Sequence, residues 1–178
     1  IAFFRWAKFS GDASFSSATF SEEAHFMIAT FSGSKTTFTA TFSGMARFED
    51  TTFSGDANFN SAKFSRMARF EKTTFSGMAR FESTTFSGPS KFISTKFSKA
   101  VNFSDAVFDA PCDLRNANFV IAYPNLLGTL LHSKTNVTAE NKYWPTARIE
   151  QSNNDNNYVS ESCAHLRQNM ASQGLIEA

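Results

Sequence analysis

Three histidines, two cysteines and a series of charged pairs are the residues of this 178-residue chain whose types could do chemistry. A metal centre needs His, Cys or carboxylate ligands at short, regular spacing. His25, His132 and His165 stand in different regions, and none has a partner at that spacing. Cys112 and Cys163 do not amount to a disulfide framework, and two sparse thiols suit a reducing compartment. Ser-Gly recurs at Ser10-Gly11, Ser32-Gly33, Ser43-Gly44, Ser54-Gly55, Ser76-Gly77 and Ser87-Gly88. No Lys-Ser/Thr follows on a helix start, so these are not phosphate loops. Asn136-Val137-Thr138 matches the glycosylation triplet, a pattern too common to weigh without a secretion signal. No catalytic, cofactor or metal constellation emerges, and an enzyme is not expected.

The charged pairs have a rhythm. Arg47/Glu49, Arg69/Glu71 and Arg80/Glu82 flank successive phenylalanines. From Phe9 a phenylalanine recurs every eleventh residue: Phe9, Phe20, Phe31, Phe42, Phe53, Phe64, Phe75, Phe86, Phe97, Phe108 and Phe119. A second series, Phe4, Phe15, Phe26, Phe48, Phe59, Phe70, Phe81, Phe92, Phe103 and then Leu114, runs between them, so the steps alternate five and six. Two residues before nearly every one sits a small side chain, as at Ala7, Ala13, Ala57, Ala62, Ala68, Thr73, Ala79, Thr84 and Ser90.

A unit this short cannot bury its own apolar face and must stack on copies of itself. An eleven-residue period could describe a right-handed helical supercoil, but steps of five and six scatter Phe around a helix. Gly interrupts helices, and Thr and Phe suit extended chain. The period therefore predicts a coiled β ribbon. Residues i and i−2 of an extended segment point the same way, so each Phe and its small partner face one interior, and i−1 and i+1 face water. Stacking then places Arg47 over Arg69 and Lys91, and Glu49 over Glu71, a mixed and neutral face of solvated side chains.

Ala-Asn-Phe-Asn-Ser (57–61), Ala-Lys-Phe-Ser-Arg (62–66) and Ala-Arg-Phe-Glu-Lys (68–72) resemble pentapeptide repeats. The resemblance covers residues 1–119 and implies a right-handed quadrilateral β-helix, four repeats to a coil. One departure is systematic. Every second corner holds an extra residue, so the coil is about 22 residues rather than 20, with two opposite corners wider. Four ladders follow: Phe9/Phe31/Phe53/Phe75/Phe97/Phe119, Phe20/Phe42/Phe64/Phe86/Phe108, Phe4/Phe26/Phe48/Phe70/Phe92/Leu114 and Phe15/Phe38/Phe59/Phe81/Phe103. Five to six coils make an all-β solenoid roughly 25 Å long. At Phe31–Phe42 the beat slips, Thr37 taking the expected slot and Phe38 coming one residue late. A bulged corner that recovers its register is expected, because a lasting slip would turn every later Phe outward.

Three regions are expected: the β-helix over 1–119, a non-repeating cap with a polar loop over 120–155, and a C-terminal helix over 156–178. Phe disappears after Phe119, and Leu126-Leu127-Gly-Thr-Leu130-Leu131 suits a short helix or strand laid across the open end. Asn156 or Asn157 could N-cap a helix from Tyr158 to Gln173 with Gly174 as its stop. The repeat is already under way at Phe4, and a helix after the barrel is similar to that of larger family members. The chain therefore reads as a piece of a longer protein, shortened also at Ala178.

The function expected is a non-enzymatic scaffold or protein-interaction module. A DNA-mimicking, gyrase-binding role, implied by some members of the family, wants an acidic surface. Residues 1–119 hold 13 Lys+Arg against 11 Asp+Glu, a net of +2, which argues against it and supplies no basic stripe for nucleic acid. Outward Thr-Phe-Ser triplets, as at Thr30-Phe31-Ser32, Thr52-Phe53-Ser54 and Thr74-Phe75-Ser76, raise a second alternative, an ordered-water or ice-binding face. Lys8, Lys63 and Lys96 interrupt it. An unknown protein partner is expected on Leu126, Leu130, Trp144, Leu166 and Met170, or self-association through an open coil end. No apolar run approaches spanning length, so no membrane contact is expected of this segment. The resemblance implies a prokaryotic cytoplasmic setting.

Overall fold

The computed structural model describes residues 1–122 and 124–136. Thr, Ser and Phe dominate the repeat, and the backbone is extended in strands of two or three residues, such as Thr30–Phe31, Asp56–Asn58 and Thr74–Phe75. Strands pair in parallel at a spacing of 22 residues, Thr52 with Thr74 and Phe53 with Phe75, except around Lys35–Thr37, where the spacing is 23 and then 21. Four flat faces result. The first runs from Ala2–Phe3 to Cys112–Asp113, the second from Lys8–Phe9 to Asn118–Phe119, the third from Ala13–Ser14 to Val101–Asn102 and the fourth from Thr19–Phe20 to Val107–Phe108. The described chain is an all-β parallel solenoid.

The four expected ladders fill the interior. Rings stack along each column, Phe48 on Phe70 at 4.9 Å between centroids and 1° between planes, Phe53 on Phe75 at 5.0 Å and 4°. Rings of neighbouring columns meet edge to face, as Phe59 and Phe70 do at 5.4 Å and 89°. Both arrangements suit the aromatic quadrupole, and each contributes about 0.5–1.5 kcal/mol beyond area burial.

The alternation of five and six residues makes two kinds of corner. After a five-residue step the turn is tight, closed by bonds such as Ala29 N–H to Phe26 C=O at 3.1 Å. Its third residue lies in the left-handed region, at Trp6, Ile28, Asp50, Lys72, Ser94 and Asn116 between the first and second faces, and at Ser17, Ser61, Ser83 and Asp105 between the third and fourth. The six-residue corners are the wider pair and lie opposite each other, where backbones of successive coils come closest. A Cβ on Gly77 would stand 2.4 Å from the carbonyl carbon of Gly55.

The slip at Phe38 is absorbed within one coil. Thr36 takes the inward small position, paired with Ala13 below and Ala57 above. The extra residue sits in the wide corner before it, where Asp12 accepts hydrogen bonds from Ser34 Oγ at 3.0 Å and Lys35 N–H at 2.9 Å. The following corner is correspondingly short, with three residues between Phe38 and Phe42 and Thr39 outside the left-handed set.

The coil does not stop at Phe119, as the loss of Phe suggested. Asn125, Leu130 and Asn136 bridge in parallel to Asn102, Val107 and Asp113, continuing three faces. Leu126 is buried in a Phe position, Gly128 occupies the left-handed corner and Thr129 the small position. Leucine replaces phenylalanine and the step lengthens to 23 residues from Phe103 to Leu126, which hid the repeat. Residues 126–131 are thus another rung rather than a helix or strand laid across the end. The helix expected over Tyr158–Gln173 lies outside the described residues.

Candidate docking surface on the first face

The outward side chains differ sharply between faces. The second presents a Thr and Ser pattern at Thr30/Ser32, Thr52/Ser54 and Thr74/Ser76, whereas the first carries long and charged residues. Along its middle, Arg47 and Glu49 pair at 2.9 Å, Glu49 and Arg69 at 3.1 Å, Arg69 and Glu71 at 2.7 Å, and Glu71 and Lys91 at 3.8 Å. The zigzag relieves the like charges that stacking brings together. Glu71 beside Arg69 raises the guanidinium's pKa further. Arg80 departs from the expected pairing. It reaches Asp56 at 2.9 Å, and Glu82 instead accepts from Asn60 and Asn102 at 2.8 Å each.

Below this ladder the same face turns apolar. Phe3 is 68% exposed and meets His25 edge to face at 5.2 Å, and Trp6 is 59% exposed with Arg5 stacked 4.2 Å from its ring. Ile28, one coil above Trp6, is 44% exposed. Trp6 and Ile28 both hold φ at 60°, in the corner column that Asp50, Lys72, Ser94 and Asn116 occupy higher up. Left-handed backbone disfavours a side chain with a Cβ and most of all a β-branched one.

His25 and Cys112 are each held by their surroundings. His25 Nε2 is tied to Glu23 at 2.7 Å. Cys112 is fully enclosed, and burial pushes its thiol up to about 12, so little thiolate forms near neutrality. No group of three or more His, Cys, Asp or Glu residues that could hold a metal occurs among the described residues.

The small-apolar-polar rhythm at 22-residue register has a match among known families. A model described as pentapeptide repeats, 9 copies, matches residues 38–85 and 81–121. Residues 38–121 of the solenoid belong to the pentapeptide-repeat family. No curated protein and no solved structure matches the chain. Within this pentapeptide-repeat solenoid, the candidate surface residues taken from the sequence separate. Leu126 is core, Leu130 is 64% exposed on the fourth face, and Trp144, Leu166 and Met170 lie outside the described residues. Phe3, Trp6 and Ile28 were missed. The signal was present as Trp and Ile at a corner position that elsewhere takes short polar residues or Lys.

Proposed function

We propose that this pentapeptide-repeat solenoid is a non-enzymatic rigid scaffold that docks through the apolar N-terminal part of its first face. The supporting observation is Ile28. An exposed β-branched residue at φ 60° adds strain and gives the fold little burial in return. Ser, Asp or Asn would serve the turn better, as they do in other coils. A residue that the fold does not favour is retained for contact with something outside. Trp6 repeats the argument one coil below. The ladders alone supply rigidity, so the corner is free to vary.

Urea unfolding of Ile28→Asn tests the reading. Asn tolerates the left-handed region, so stability should stay level or rise by up to about 1 kcal/mol. A loss of more than about 1 kcal/mol would make Ile28 a structural residue and remove the basis for a docking patch.

A further inference from the structure

The docking reading above leaves the occupant open, and on that reading we infer that the patch seats on an anionic lipid surface. Phe3, Trp6 and Ile28 project from one corner of the rod across its first two coils, with Arg5 and Lys8 beside them. Neither cation has an acidic partner among the described residues, whereas the cations higher on the first face, Arg47, Arg69, Lys91 and Arg115, are all paired. Arg5 lies against Trp6 instead.

Unpaired cations beside protruding aromatics require an occupant that is both apolar and negatively charged. A second copy would bring Arg5 and Lys8 against their own counterparts, so charge disfavours self-association through this patch. A protein partner needs pockets shaped to receive the projecting side chains, with their surroundings packed against water. A bilayer needs no matching pocket. Trp and Phe settle at the headgroup boundary, and Lys and Arg are drawn to anionic lipid such as that of a cytoplasmic leaflet. Among the described residues no helix is long and apolar enough to cross a membrane, so the contact is peripheral. Three side chains from two coils form no continuous apolar run, which is why the sequence led to no membrane contact being expected.

Co-sedimentation of the full chain with vesicles is the test, using phosphatidylcholine alone and phosphatidylcholine mixed with phosphatidylserine. Binding should appear with the mixed vesicles and fall with salt. Trp6→Ser with Ile28→Asn should abolish it while the circular dichroism spectrum is retained. Arg5→Gln with Lys8→Gln should weaken it by roughly tenfold. In a Trp144→Phe background, where Trp6 is the remaining tryptophan, emission should shift to the blue on adding mixed vesicles. No binding to mixed vesicles would overturn the inference, as would unchanged binding by the Trp6/Ile28 variant or a Trp6-dependent dimer in light scattering. Failure here with Ile28→Asn still stable leaves the docking reading with another occupant, whereas a destabilised Ile28→Asn removes both.

Discussion

Thr73 donates its hydroxyl to the carbonyl oxygen of Phe48 in the coil below, 2.6 Å away. Thr51, Thr84, Thr95 and Thr129 do the same to Phe26, Phe59, Phe70 and Phe103 at 2.6–2.7 Å. All five follow a tight corner, whose first carbonyl remains within reach. The small column of the first face, Ala24, Ala46, Ala68, Ser90 and Cys112, follows a wide corner, and the buried Ser90 Oγ there reaches no carbonyl and has only the Cys112 thiol beside it. Thr73→Val, which keeps the shape and removes the donor, should cost about 1 kcal/mol in chemical denaturation. Ser90→Ala should cost clearly less, because the hydroxyl it deletes bonds no carbonyl and faces only a weakly bonding thiol.

Glycine corners supply an internal control. Gly77→Ala forces a methyl against the Gly55 backbone and should lose about 1–3 kcal/mol, whereas Gly11 has nothing within 4 Å of its would-be Cβ and Gly11→Ala should change little. Equal effects at the two sites, read as thermal midpoints, would contradict the close approach of coils.

Acid sensitivity should track Asp56. The hydrogen bond from Arg80 holds its carboxyl below the ordinary range, with burial opposing. A depressed folded-state pKa gives stability that is present above the unfolded value near 4 and is lost as pH falls through the folded one. Thermal midpoints measured from pH 7 to pH 3 should therefore drop below about pH 4. In Asp56→Asn the drop should be shallower.

Cys112 should resist thiol reagents. With its thiol pushed up to about 12 by burial, a Cys163→Ser variant should show no reaction with a disulfide reagent at pH 8 until denaturant is added. Prompt labelling of the folded protein would place Cys112 at the surface.

Most of the interior was legible because Phe is large, apolar and strictly periodic, so one ring per strand in register is the arrangement that buries them all. The slip at Phe38 was legible for the same reason, since the ladder resumes at Phe42. The rung at Leu126 and Leu131 was not, because two changes coincide there, Leu for Phe and a 23-residue step. Arg80 was assigned to Glu82 by strand neighbours, but the partner it found, Asp56, starts the paired strand one coil down on the same face, 24 residues back, a closeness that linear spacing does not display. Trp6 and Ile28 escaped notice because outward corner positions follow no hydrophobic period; their meaning appeared only with the backbone angle.

Far-ultraviolet circular dichroism of Phe70→Asp tests the whole account most directly. Phe70 is fully buried, stacked between Phe48 and Phe92 at 4.9 and 4.8 Å, and an isolated carboxylate there has no partner. The account predicts loss of the β spectrum and of cooperative melting. A soluble variant with the wild-type spectrum and melting curve would mean that the rings do not pile up inside the coil.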